Sequence, residues 1–200
     1  SPSSQPISPR ARHSLPPQSP NPSRIYSPPS SPNPSRIYSS CSTAMGVKTF
    51  NEETTSAVPP ARLFKALVLD AHELVPKVLP DAVKSVQVTP GEGGAPTVVH
   101  IVAADGRSVK HRFDVVEKEQ CHCRYTLVEG PELGLEGVES VVYELKFEAS
   151  GDGGSRCRRS VEVHAADPAK VDDAAIKASN ENAGKLFKAI EAYLLANPSA

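Results

Sequence analysis

The segment Val88-Thr-Pro-Gly-Glu-Gly-Gly-Ala-Pro-Thr-Val98 decides how this chain folds. Gly91, Gly93 and Gly94 lie within four residues, so the backbone there can take conformations that side chains forbid. A phosphate-cradling loop would need Lys and then Ser or Thr after its last glycine, and a helix to follow. Ala95-Pro96 follow instead, and then Thr97-Val-Val-His-Ile-Val102, which reads as a strand. Glu92 would also repel a phosphate. The segment is therefore a shaped connection between two strands, and the chain on either side should be read as sheet.

Working outward, further strands are expected near 83–89, 97–104, 107–117, 119–129, 138–149 and 155–165. Their separators are turn-like: Asp105-Gly106, Lys118-Glu119 and Gly151-Asp-Gly-Gly154. Asp105-Gly106 is a strong hairpin signal. Val47 to Val58 alternates weakly and is rich in Thr, so it reads as one more strand. Pro59-Pro60 then suits a helix start, and Leu63, Phe64, Leu67 and Val68 fall on one helical face. A second short helix covers Ala71 to Leu79. The last element is the clearest: Asp167 is a good N-cap, Pro168 a good first residue, and Asn197-Pro198 a stop. Gly184 inside it costs about 1 kcal/mol, which a close contact or a bend would explain. Strand, two helices, six strands in hairpin series and a long helix give an α+β fold, with helices on one face of an antiparallel sheet. A strongly curved sheet gripping one long helix can leave a cavity between them.

Composition divides the chain near residue 44. The first 44 residues contain no Asp, Glu or Lys, and their charges are Arg10, Arg12, Arg24 and Arg36. All 23 acidic residues follow, against 18 of the 22 basic ones, a net charge of −5. That balance excludes nucleic acid as the main partner. No apolar run is long enough to span a membrane. Ser19-Pro-Asn-Pro-Ser-Arg-Ile-Tyr-Ser27 recurs as Ser31-Pro-Asn-Pro-Ser-Arg-Ile-Tyr-Ser39. Two polar copies cannot build a solenoid, and residues 1–44 are expected to be disordered. They resemble a transit peptide, carry Ser-Pro phosphorylation signals, or are absent from a native chain beginning at Met45. Residues 45–200 suit one domain. Cys41, Cys121, Cys123 and Cys157 show no disulfide spacing, so a reducing, intracellular compartment is expected.

Strand parity sorts the inward residues. The apolar face of 109–115 carries Val109, His111, Phe113 and Val115. Those of the next two strands carry Cys121, Cys123, Tyr125 and Leu127, then Val141, Tyr143, Leu145 and Phe147. The last carries Cys157, Arg159, Val161 and Val163. Arg159 is the anomaly: its guanidinium either enters an apolar chamber, where a partner or ligand must meet it, or bends to water at the rim. His111 either meets a ligand or bonds a neighbour. From the long helix, Leu186 and Ile190 would close the chamber, and Ser179, Asn182 and Ala183 would line its small or polar half. Cys121-His122-Cys123 does not form a metal site, because His122 points away from both cysteines. No nucleophile elbow or Cys–His pair is present.

An ordered set of segments also carries a resemblance: Met45-Gly46-Val47, Ala61-Arg-Leu-Phe-Lys-Ala66, Pro76-Lys-Val78, Gly91-x-Gly-Gly94, Val128-Glu-Gly130, Asp152-Gly-Gly-Ser155 and Glu191-Ala-Tyr-Leu-Leu-Ala196. From Met45 onward the chain resembles the class 10 pathogenesis-related proteins, the plant family of the major birch pollen allergen, Bet v 1. The resemblance implies a helix-grip fold: a curved seven-stranded antiparallel sheet around a long C-terminal helix, two short helices and an internal hydrophobic cavity. It implies a cytoplasmic or additionally nuclear, monomeric defence or stress protein that binds hormones, flavonoids or steroids without a cofactor. The abscisic acid receptors share the wider fold and inhibit a protein phosphatase, but their gate motifs are not found here.

The same resemblance implies enzymatic alternatives. Residues proposed for ribonuclease activity in the family match Glu139, Glu191 and Tyr193, but the basic residue proposed with them is Val99 here. The alkaloid-forming branch uses a cavity lysine, and the inward sets contain none. A binding protein is therefore expected rather than an enzyme.

Overall fold

The computed structural model describes residues 38–44, 46–91 and 96–199. Two strands open it, β1 (Tyr38–Ala44) and β2 (Val47–Ser56), followed by α1 (Pro60–Phe64), which runs into a π turn over Lys65–Leu69, and by α2 (Ala71–Val78). Six strands follow: β3 (Val83–Thr89), β4 (Thr97–Ala103), β5 (Ser108–Glu117), β6 (His122–Glu129), β7 (Val138–Ala149) and β8 (Ser155–Ala165). The long helix α3 (Asp173–Ala196) ends the fold. The sheet is antiparallel throughout, in the order β1-β2-β8-β7-β6-β5-β4-β3.

The expected seven strands are β2 to β8, and β1 adds an eighth at the sheet edge. Tyr38–Ala44 falls inside the stretch expected to be disordered, and this part of the expectation is corrected. It pairs along β2 from Tyr38↔Glu53 to Ala44↔Val47. Pairing onto an open edge uses only backbone groups, so a segment too polar for a core can still join a sheet. The rest of the leader, residues 1–37, lies outside the described residues.

The turns follow their sequences. Gly106 takes a φ of 88° and donates to the Ala103 carbonyl at 3.0 Å, closing the β4–β5 hairpin. At Gly154 the need is for space: a Cβ there would lie 2.1 Å from the Ser56 carbonyl oxygen. Register shifts in β3–β4, β5–β6 and β7–β8 mark bulges, which bend strands and increase twist.

The helix start differs from the sequence expectation. Asp167 caps only a 3-10 turn over Pro168–Lys170, accepting from the Ala169 amide at 3.1 Å. Val171 is then buried in the core, which interrupts the helical path. Asp172 is the true cap, accepting from the Ala174 and Ala175 amides at 2.9 and 3.3 Å. The 24 residues of α3 span about 36 Å at 1.5 Å per residue, five residues fewer than a helix starting at Pro168.

Two apolar clusters join α3 to the sheet. One gathers Phe64, Cys123, Phe147, Phe187, Ile190 and Leu194 around the C-terminal half of the helix. The other gathers Phe50, Val141, Val161, Val163, Val171 and Ile176 near its start. Between them the inner face of the sheet is not filled.

Candidate ligand cavity

The unfilled space is a cavity of about 240 Å³ between α3, α2 and the inner faces of β3 to β8. Its walls are apolar, from Leu67 and Val75 on the helical side to Val86, Ile101 and Leu145 on the sheet. A second cavity of about 330 Å³ adjoins it and shares Ile101, Val109, Glu132 and Ser179. This outer space opens between the β4–β5 hairpin, the 3-10 turn Pro131–Gly134 and the first turns of α3. Small side chains on that half of the helix create both spaces: Ala175, Ala178 and Ser179 line the outer one, Ser179 and Ala183 the inner.

An aromatic row crosses the inner cavity. Phe113 stacks on Tyr125 at 4.9 Å, and Tyr125 on Tyr143 at 5.0 Å between ring centroids. The Arg159 guanidinium continues the row, 5.2 Å from the Tyr143 centroid. His111 meets Tyr125 and Tyr143 edge-on at 4.9 and 5.5 Å. Cross-strand pairing sets this geometry, with Phe113↔Tyr125 between β5 and β6 and Tyr125↔Tyr143 between β6 and β7.

Arg159 enters the chamber rather than the rim, and its side chain is 12% exposed. It donates to Asn180 Oδ1 on α3 at 2.6 Å and to Glu52 Oε2 on β2, its cross-strand neighbour, at 3.5 Å. A buried cation without such partners would be costly. Burial, helped by the Arg159 charge, lowers the His111 pKa to about 4, so the imidazole is neutral at pH 7. Burial likewise pushes the Tyr125 phenol up to about 12. It raises Tyr143 as well, with the Glu132 charge adding to the shift. Along the row, His111, Tyr125 and Tyr143 are neutral and Arg159 is paired, which suits an amphipathic guest.

Residues 45–197 match the family model described as Pathogenesis-related protein Bet v 1 family. The chain belongs to this family. The major allergen Pru ar 1 of Prunus armeniaca is 42% identical over 159 residues, 78% of this chain and 99% of the allergen. The major strawberry allergen Fra a 1.05 of Fragaria ananassa is 42% identical over 158 residues, covering 78% and 98%. Among solved structures, Ara h 8.0201 is 40% identical with a TM-score of 0.65, covering 76% of this chain and all of that one. Norcoclaurine synthase from Thalictrum flavum, solved with dopamine and hydroxybenzaldehyde, has a TM-score of 0.63 over 77% of this chain and 90% of that one. At 20% identity it shares the fold alone.

This Bet v 1 framework divides the residues read as inward from strand parity and from the helix face. His111, Phe113, Tyr125, Leu127 and Tyr143 line the inner cavity, as do Leu145, Arg159, Ser179, Ala183 and Leu186. Asn182 lines only the outer space. Cys123 and Val141 are corrected. Both point inward, but neighbouring side chains seal them into the two clusters, and Ile190 is likewise core. Gly91 is described, whereas Gly93 and Gly94 lie outside the described residues.

Sequence reading missed the α2, β3 and β4 walls, such as Val75, Val86 and Ile101, and three acidic or amide residues that hold or join the polar groups: Glu52, Glu132 and Asn180. Glu52 shares strand parity with buried Phe50, and Asn180 lies one turn after buried Ile176, so both signals were present. Glu132 had none, since a residue in a short turn after Pro131 follows no period.

Outside the cavity, the His122 ring nitrogens Nδ1 and Nε2 each lie 2.8 Å from a carboxylate oxygen, of Glu117 and Glu144, on the opposite face from Cys123. Among the described residues no group of three or more His, Cys, Asp or Glu could hold a metal ion. Nor is any described helix long and apolar enough to cross a membrane.

Proposed function

We propose that this protein binds a small hydrophobic or amphipathic plant metabolite, of the hormone, flavonoid or steroid type, in the cavity under α3. The observation that carries the reading is the inner chamber itself. It pairs apolar walls with a few fixed polar groups, the composition typical of small-molecule sites. The adjoining outer space offers a path between the chamber and solvent.

Dispersal of the alternative catalytic set supports binding over nucleolysis. Glu139 is exposed on β7, while Glu191 is buried and pairs with Lys188 at 2.8 Å. Tyr193 instead accepts from Lys77 at 3.2 Å. Glu191 is the more deeply buried of the two helix residues. The three share no hydrogen bond, and two of them are engaged by separate lysines, so they do not form a catalytic unit as general acid–base chemistry requires.

The test is titration with 1-anilinonaphthalene-8-sulfonate, a probe whose emission rises in apolar surroundings. The wild-type protein should bind it saturably. Ala183→Leu places three extra carbons in the inner chamber and should weaken binding about tenfold, the equivalent of about 1.4 kcal/mol. Equal binding by a folded Ala183→Leu protein would place the probe elsewhere and remove the support for this reading.

A further inference from the structure

The two cavities meet at a carboxylate. Glu132 sits in the 3-10 turn after β6, and a side chain of this length could reach solvent from there. It turns inward instead and is 7% exposed. Gly130 makes room for it: a Cβ at position 130 would stand 2.9 Å from Leu127 Cδ1 and 3.3 Å from Glu132 Oε2. That oxygen is buried and has no hydrogen-bond partner among the described residues. Buried polar atoms in folded proteins are rarely left so, and an exception needs an explanation.

No described residue supplies the missing donor. Arg107 lines the outer cavity but is held by Asp105, with both Nε and Nη2 at 2.7 Å from its carboxylate. Arg159 is held by Glu52 and Asn180. His111 is kept neutral by burial, and His72, at the α2 side of the inner cavity, is half exposed beside Glu73. Ser179, which lines both cavities, and the Tyr143 phenol, near enough to feel the Glu132 charge, make no hydrogen bond to Oε2. An acceptor without a donor, at the junction of an apolar chamber and its outlet, is complementary to a guest that carries the donor.

We propose that Glu132 is a recognition site for a protonated amine, held at the junction while the apolar body of the ligand occupies the inner chamber. This deepens the proposed function and rests on it. The ligand class is an aliphatic or aromatic compound with one basic nitrogen near one end. The ammonium donates to Glu132 Oε2, and the charge pair forms away from bulk water, where it is strengthened. The aromatic row and Arg159 then face the other end of the guest.

Three fluorescent probes of one size separate the outcomes: dansylcadaverine, which ends in an ammonium; N-hexyl dansylamide, which ends in a methyl; and dansyl-6-aminohexanoate, which ends in a carboxylate. The full chain is titrated with each at pH 7.5, as wild type and as Glu132→Gln, with folding checked by circular dichroism. Glu132→Met is the second variant should the amide disturb the turn. The wild type should prefer the ammonium probe over the methyl probe by about tenfold, the worth of one charge-assisted hydrogen bond. Glu132→Gln should abolish that preference, leave the methyl probe within about twofold, and improve the carboxylate probe. Binding of the methyl probe with no ammonium preference in the wild type, or with the preference intact in both variants, overturns the role of Glu132 and leaves the cavity reading standing. Failure of all three probes to bind overturns both.

Discussion

The two halves of α3 rest on the same sheet and leave it in opposite states. The C-terminal half presents Phe187, Ile190 and Leu194, which are buried against Phe64 and Phe147. The N-terminal half presents Ala175, Ser179, Asn182 and Ala183 to open space. One helix axis cannot approach a curved sheet closely along its whole length, so side-chain size decides where the gap is filled. Large residues anchor the C-terminal half, Ile176 pins the first turn, and the small residues between them leave a chamber. The polar groups divide in the same way: His111, Arg159 and Glu132 all line the open part.

The contrast predicts how substitutions divide. The largest effect belongs to the filled half. Ile190→Ala should destabilise by about 4 kcal/mol, because a tightly surrounded site cannot collapse around the lost methylenes. Denaturant unfolding measures it, and a loss under about 1.5 kcal/mol would mean that the filled end is loose as well.

The next effect belongs to the open half and depends on pH. His111 titrates near 4 in the folded protein, against about 6.5 when exposed. Between these values the unfolded chain binds a proton that the native state refuses. The stability from this group is therefore fully present above pH 6.5 and is lost as pH falls toward 4. The loss is about 3 kcal/mol, at about 1.4 kcal/mol per pH unit. Melting temperature should fall over that window in the wild type and fall less in His111→Gln. Parallel curves would place His111 in water.

Smaller effects sharpen the comparison. Asp172→Ala removes the cap from the open end of α3 and should cost about 1 kcal/mol, with little change at Leu194. Amide exchange would show the loss confined to the first turns, and uniform loosening would mean that the helix responds as one unit. The smallest change in stability is expected for Ala183→Leu, within about 1 kcal/mol, because the new carbons enter existing space. A penalty above about 2 kcal/mol would show the chamber to be narrower than drawn.

Much of this was legible in the chain. Strand parity placed His111, Phe113, Tyr125, Tyr143 and Arg159 on one face, and the hairpin turns at Asp105-Gly106 and Gly151–Gly154 set the strand order. Side-chain alternation and turn chemistry are local, so a sequence carries them in full. The start of α3 was misplaced because Asp167-Pro168 and Asp172 both satisfy the capping rule. Only the burial of Val171 chooses between them.

What the sequence alone determined is the class of the fold, the inward residues of the strands up to the β5 bulge that turns Val115 outward, and the small-residue half of the last helix. The tertiary structure decided which inward residues meet open space and which are sealed. Parity treats Cys123 and Tyr125 alike, yet one is packed under Phe147 and its neighbours and the other faces the chamber. It also decided that Arg159 meets Glu52 and Asn180 while Glu132 Oε2 meets no donor among the described residues. These outcomes depend on the distance between a helix and a curved sheet, and that distance is set by packing of residues far apart in the chain.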